Sequence, residues 1–298
     1  MTDSPILEPR HEHHKLASGI SMHAVHWEPA EVTMPPCLLV HGLASNARLW
    51  DGVARRLATL GHPVAAIDQR GHGQSSKPDG PFDMASVADD LRLLITELGW
   101  EQPLIAGQSW GGNVVIEFAH RHPGAASVIV CVDGGSIELQ QRMPDWEVAK
   151  EQMAPPSLIG TPIAKMRDWM TTSNADWPAE GIEGQLANFE VREDGTIAPW
   201  LTFERHLLVL RGLWEHTPSD LYASITDPVL WISADNGQSE WTAAKRAGID
   251  QAVSALTTSR SEWFSPAHHD VHAQHPVEVA ALLHGALTDP NFFSRTPL

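Results

Sequence analysis

Long apolar runs are missing from this 298-residue chain. No stretch reaches the ~18 residues that a membrane-crossing helix needs, so a membrane partner is not expected. The opening MTDSPILEPRHEHHKL lacks the apolar centre and small-residue cleavage site of an export signal. Cysteine is scarce too. Cys37 and Cys131 each lie inside an apolar run (PPCLLV and SVIVCVDGG), which reads as two small buried hydrophobes rather than a disulfide or metal pair. Positive charge is in deficit, with 20 Lys and Arg against 37 Asp and Glu and a formal net charge of -17. A field of that sign repels phosphates, so nucleic acid and anionic membrane surfaces are not expected partners. These absences point to a cytoplasmic protein that acts on a small molecule. They leave its oligomeric state open.

What is present fits a globular enzyme. Hydrophobic residues make up 42% and charged residues 19%, and the length suffices for a full core. HEHHKLAS and ISMHAVHWE read as an opening hairpin, with Gly19 near its turn. Buried strands are then expected at PCLLVHG, HPVAAIDQRGHG, QPLIAGQS and ASVIVCVDGG. Helices are expected between them at ARLWDGVARRLATLG, FDMASVADDLRLLITELGW (capped by Asp83 or Ser86) and WGGNVVIEFAHRHP. This rhythm predicts βαβ units and a mostly parallel sheet covered on both faces. From 137 to 224 it gives way to a Trp-, Met- and Pro-rich stretch with helical segments and no buried-strand run. Alternation resumes with DPVLWISADNG, WTAAKRAGIDQAVSAL, SEWFSPAHH and PVEVAALLHGALT. The expected organisation is a core of residues 1–136 and 225–298, with a helical insert at 137–224 after the sixth core strand.

The chemistry begins at LIAGQSWGGNVV. Gly107-Gln108-Ser109-Trp110-Gly111 fits G-x-S-x-G between a strand and a helix, where small neighbours let both backbones approach and the turn lifts the serine hydroxyl above the sheet edge. The helix N-terminus behind it favours developing negative charge. His41-Gly42 follows another strand, and Gly42 lets the backbone turn at that same edge. The N–H groups of Leu43 and Trp110 are then candidates for an oxyanion hole, worth about 3 kcal/mol per donor. His41 reads as a scaffold hydrogen-bonder rather than a base.

HGLASNARLW, DQRGHGQSSKP, GQSWGG, VIVCVDGG and PVLWISAD, in this order, resemble the α/β-hydrolase superfamily. The loop Asp68 to Ser75 is especially similar to members with a helical lid, such as esterases, epoxide hydrolases and haloalkane dehalogenases. The resemblance spans nearly the whole core and fails over the insert. It implies an eight-stranded α/β-hydrolase fold, a lid at 137–224, and a triad in the order Ser, acid, His. It also implies a merely structural role beside the site for Asp68 and Arg70. Epoxide hydrolases and dehalogenases of that group use an Asp nucleophile, whereas this chain has Ser109, which points to acyl chemistry.

Four histidines, in SPAHHDVHAQHP, compete for the role of base. The resemblance favours His269, seven residues before Pro276, with His268 the near alternative, while His272 and His275 are expected to face solvent or cap the helix. The same four lack a fixed i, i+4 pair on a clear helix with a third ligand, so neither a metal nor a cofactor is expected. A carboxylate must hold the imidazole tautomer. Asp235, after PVLWISA, is the preferred acid; Asp133, in CVDGG, is the alternative.

The expected function is a serine hydrolase of the carboxylesterase type. It would cleave an ester or related acyl bond of a small, largely apolar substrate through an acyl-serine. Trp146, Trp169, Trp177, Trp200 and Trp214, with Met143, Met153, Met166 and Met170, offer apolar surface for packing the lid or lining the pocket. A second reading keeps the triad but cleaves a carbon–carbon bond, a lactone or a prolyl peptide; for the last, Glu180, Glu183 and Glu190 are available to hold a free amino terminus, though at that density they read more simply as a solvated face. A third is a receptor-like member that binds without turnover.

Overall fold

Apolar runs of four to six residues form the centre of the molecule, and every residue in them is buried. The computed structural model describes residues 8–237 and 239–294. Its strands are β1 (Arg10–Lys15), β2 (Ser21–Trp27), β3 (Cys37–Val40), β4 (Val64–Ile67), β5 (Leu104–Gln108), β6 (Val128–Val132), β7 (Phe189–Val191), β8 (Ile197–Pro199), β9 (Val229–Ala234) and β10 (Ser259–Phe264). Eight of these form one sheet in the order β1-β2-β4-β3-β5-β6-β9-β10, with β7 and β8 paired separately. β1 runs antiparallel to β2, and β2 to β4; the other neighbours in the large sheet are parallel.

Helices cover both faces. They are α1 (Asp51–Thr59), α2 (Met84–Glu97), α3 (Trp110–Arg121), α4 (Leu139–Arg142), α5 (Trp146–Gln152), α6 (Ile163–Ser173), α7 (Ala179–Leu186), α8 (Phe203–Glu215), α9 (Ser239–Ala255), α10 (Val271–Gln274) and α11 (Pro276–Thr288). Successive strand residues point to opposite faces. Leu39, Ala66, Val130 and Leu230 therefore join Val53 and Leu57 of α1 and Val279 and Leu283 of α11. Leu38, Ile67, Ile105 and Ile129 join Leu91 and Leu94 of α2 and Val115 and Phe118 of α3. Asp83 caps α2, its carboxylate accepting from the Ser86 N–H at 2.9 Å.

Two local features depart from the sequence expectation. The stretch between β6 and β9 holds the hairpin β7–β8 as well as helices, joined through Asp194 and Gly195, whose φ is 76°. Strands of three residues are too short to show a period, and Asp-Gly was the available signal. The first turn of the expected helix at 47–61 is 3₁₀ (Ala47–Trp50), with Asn46 capping it through Arg48 N.

Because the parallel strands share a direction, β3, β5, β6, β9 and β10 all deliver their following loops to one edge, where open α/β sheets bind ligands. The start of α3 is pressed against that edge. A Cβ on Gly111 would stand 2.5 Å from the His41 carbonyl oxygen and 2.8 Å from that of Val40. Gly111→Ala is expected to destabilise the fold by roughly 1–3 kcal/mol through overpacking. Gly248→Ala, in α9, meets nothing nearer than 3.5 Å and is expected to be neutral or stabilising by about 0.5–1 kcal/mol. Urea unfolding of the two variants checks the contrast.

Candidate active site

Three non-glycine residues have positive φ among the described residues: Ala44 at 57°, Ser109 at 53° and Asp133 at 46°. Such backbones cost energy and persist where the surroundings impose them. Each stands just past a strand of the same sheet edge. Ser109, with ψ -119°, follows β5 and precedes α3. Its N–H donates to Val132 O at 2.9 Å, and its own carbonyl accepts from Gly112 N at 2.9 Å. The turn needs its glycines: a Cβ on Gly107 would overlap the Gly111 carbonyl, and one on Gly134 would overlap the Ser109 backbone.

Asp133 meets the imidazole. Its Oδ2 lies 2.6 Å from His269 Nδ1, and its Oδ1 accepts from Ala234 N at 2.9 Å and Lys245 Nζ at 2.6 Å. A carboxylate only accepts, so Nδ1 carries the proton and Nε2 keeps its lone pair. Asp235, the acid preferred from sequence, is engaged elsewhere. It accepts from Gly237 N and Thr242 Oγ1, each at 2.9 Å, and lies 3.4 Å from Ser265 Oγ. β6 and β9 are adjacent and each is followed by an aspartate; the positive φ at 133 and the Gly134 that follows turn only the first toward the histidine.

Burial opposes charge on His269, but the Asp133 hydrogen bond and the charges of Asp270 and Asp133 outweigh it and raise its pKa; Lys245 pulls it back down. Burial also opposes charge on Asp133, and there the His269 and Lys245 contacts prevail, holding the carboxyl below its usual range. Asp270 is pushed up, burial being the largest cause.

The loop after β3 is braced by buried rings. His41 Nε2 accepts from Gln69 N at 3.0 Å, which leaves Nδ1 to donate to Gly42 O at 2.6 Å. His72 Nε2 accepts from Ala44 N at 3.2 Å. Burial lowers the pKa of both rings, so they hold the loop as neutral groups. Gly42 sits so close to the elbow that a Cβ would reach Ser109 Cβ at 3.0 Å. Among the described residues, the N–H groups of Leu43 and Trp110 donate to no protein acceptor. Asp68 and Arg70 serve the surrounding loops: Asp68, held near 2, accepts from Ala47 N at 2.8 Å, and Arg70 pairs with buried Asp90 at 2.6 Å.

Ser109 and His269 line one cavity of about 150 Å³ with Leu43, Ser45, Gln108, Asp270 and, from the insert, Gln185 and Asn188. The His269 ring is about half exposed (54%), whereas the Asp133 carboxylate is buried. The lining is more polar than the tryptophans and methionines suggested. Trp214 packs on Trp146 and donates to Met143 O at 2.7 Å, and Met166, Met170 and Trp177 form a small core with Ile182 and Leu186. Glu180 pairs with Arg55 and Arg56, and Glu183 with Arg167; none of the three proposed lid acids lines the cavity.

The remaining histidines separate. His268 is exposed, with its ring against Trp177, and His275 stands at the start of α11 against Phe264. His272 is fully buried against Trp50 rather than solvent-facing, because α10 turns it inward, and burial takes its pKa to about 3. Lys245, Asp270, Gln185 and Asn188 carry no motif and were not legible. Neither was buried Asn113, which accepts from Gly135 N at 3.0 Å and so ties α3 to the loop holding Asp133. Its position one helical turn after Ser109 was the available hint.

Residues 35–156 match the family model described as alpha/beta hydrolase fold. An uncharacterized protein of Mycobacterium bovis is 37% identical over 103 residues, 35% of this chain and 30% of that protein. The chain thus spans about a third of the length of such curated relatives. A 2-(acetamidomethylene)succinate hydrolase of Mesorhizobium japonicum is 24% identical over 207 residues, 68% of this chain and 72% of that one. The crystal structure of an E-2-(acetamidomethylene)succinate hydrolase superposes with a TM-score of 0.77 at 20% identity, covering 95% of this chain and 100% of that one.

The Asp133–His269 pair makes a titration prediction. The imidazole accepts a proton only when neutral, so a raised pKa sets the base free above 6.5 rather than below it. In NMR titrations, His269 of Asp133→Asn is expected to titrate at lower pH than wild type. Lys245→Met, which loses a nearby positive charge, is expected to titrate higher. Equal midpoints in wild type and Asp133→Asn would contradict the pairing.

Proposed function

We propose that the chain is a serine hydrolase of the α/β-hydrolase superfamily, whose model residues 35–156 match, with Ser109 as nucleophile, His269 as base and Asp133 as acid. The observation that carries this reading is the Asp133–His269 hydrogen bond of 2.6 Å beside a cavity that Ser109 also lines. Ser109 Oγ attacks the acyl carbon while His269 Nε2 takes its proton. The leaving group departs with that proton, and an acyl-serine remains. Water then attacks the acyl carbon, giving a proton to His269, and the acid product leaves as Ser109 recovers its hydrogen. The N–H groups of Leu43 and Trp110 hold the oxyanion, and Asp133 stabilises the imidazolium. None of these steps calls on a metal or cofactor. Residues 137–224 act as the lid, contributing Gln185 and Asn188 to the cavity wall.

The substrate we infer is a small acyl compound with hydrogen-bonding groups, an ester in the first instance. The amides of Gln108, Gln185 and Asn188 offer both donors and acceptors to it. They also favour a second reading, a small carboxamide. The relatives named for 2-(acetamidomethylene)succinate lend this some support. Lys and Arg are absent from the described lining and Asp270 is present, which favours uncharged substrates over dicarboxylates.

Ser109→Ala is expected to abolish both p-nitrophenyl acetate turnover and labelling by a fluorophosphonate probe, without loss of fold by circular dichroism. Asp133→Asn is expected to lower kcat by about 10⁴, the scale of losing a triad acid. Asp235→Asn should stay within a few-fold of wild type. A larger loss in Asp235→Asn than in Asp133→Asn would reverse the assignment. Running acyl esters beside N-acyl amides separates the two substrate readings.

A further inference from the structure

The first hairpin carries a second constellation that the proposed hydrolase chemistry does not use. β1 and β2 pair Arg10 with His26, Glu12 with Ala24 and His14 with Met22. Alternation therefore sets Glu12, His14 and His26 on one face of the hairpin. His14 Nε2 and His26 Nε2 are 2.9 Å apart, and Glu12 Oε2 lies 3.8 Å from the first and 3.9 Å from the second. His26 is buried, and the other two are partly so. Arg10 pairs with the other carboxylate oxygen of Glu12, which leaves Oε2 turned toward the rings.

We propose that Glu12, His14 and His26 form a binding site for a divalent transition cation, Zn²⁺ in the first instance, that pins β1 to β2 outside the catalytic pocket. A point equidistant from the three donor atoms lies about 2.1 Å from each, the length of zinc–imidazole and zinc–carboxylate bonds. Two imidazoles, which are borderline donors, beside one hard carboxylate suit Zn²⁺ and its neighbours over Mg²⁺ or Ca²⁺, and a water completes the coordination. Without the ion, the two rings share one proton in a hydrogen bond; the ion takes the place of that proton between them.

The opposite face of the hairpin makes a useful contrast. There His23 uses Nδ1 on Asp68 at 2.7 Å and Nε2 on His11 at 3.0 Å, while Asp68 already accepts from Ala47 and Gln74. Those donors form a closed hydrogen-bond chain, not an open ligand set. Sequence reading weighed a metal only at the four histidines of 268–275. The ligands at 12, 14 and 26 have no motif spacing, because strand pairing and not helical repeat brings them together.

The test is titration of chelator-treated full-length protein with ZnCl₂ by calorimetry, alongside thermal melts and amide hydrogen exchange. Wild type is expected to take up one equivalent at this site, melt at higher temperature with the ion, and exchange its β1 and β2 amides more slowly. His14→Ala and Glu12→Gln change partly exposed side chains and should fold. Each is expected to weaken uptake by at least about tenfold, since even outer-shell losses reach that scale. His269→Ala, which removes an imidazole from the catalytic pocket, should retain the equivalent. Absence of uptake by wild type would overturn the site, as would unchanged uptake in the Glu12→Gln, His14→Ala double variant or its loss in His269→Ala.

Discussion

One buried carboxylate ties together the elements on which the candidate site depends. Asp133 leaves β6 with a left-handed backbone, accepts from the end of β9 and from Lys245 of α9, and holds the histidine that follows β10. Three other chain segments converge on its two oxygens. An ionised carboxylate so deeply buried is tolerated because each oxygen has a charge-assisted or backbone donor. Removing a single partner leaves a buried charge short of a donor, so the partners that orient the imidazole depend on one another.

The elbow obeys a similar logic, with steric contact in place of charge. Glycines at 107, 111, 112 and 134 allow the ends of β3 and β5, the start of α3 and the loop after β6 to touch through backbone alone. Ser109 is held in its unfavourable φ by those contacts on all sides. A side chain at any of these positions would move the serine relative to the Asp133–His269 pair, because the same loops carry both. Strain and hydrogen bonding are thus coupled through Gly134, which follows Asp133 and abuts Ser109.

Much of the architecture was legible, for a physical reason. Strands buried on both faces read as unbroken apolar runs, and the helices between them have a face to bury, so order and sheet type follow from pattern. The serine turn and the histidine seven residues before Pro276 are local signals. The choice between Asp133 and Asp235 is not local: both end adjacent parallel strands, and only backbone rotation at residue 133 distinguishes them. Polar lining from Gln185 and Asn188 escaped notice because amides on a helical stretch look the same whether they face water or a cavity. The tryptophans misled in the opposite sense, since large apolar side chains serve packing before they serve ligands.

β1 lies at one end of the sheet, and among the described residues no strand pairs beyond it. Its six residues, RHEHHK, are polar without exception and mostly exposed. A neighbouring molecule's strand could find backbone donors and acceptors there but no apolar side chain to pack against. Imidazoles and mixed charges also keep their hydration, which a docking strand would have to strip away. Among the described residues the sheet therefore ends on a strand that offers an incoming strand hydrogen bonds without an apolar face, an edge closed by solvation instead of by cover.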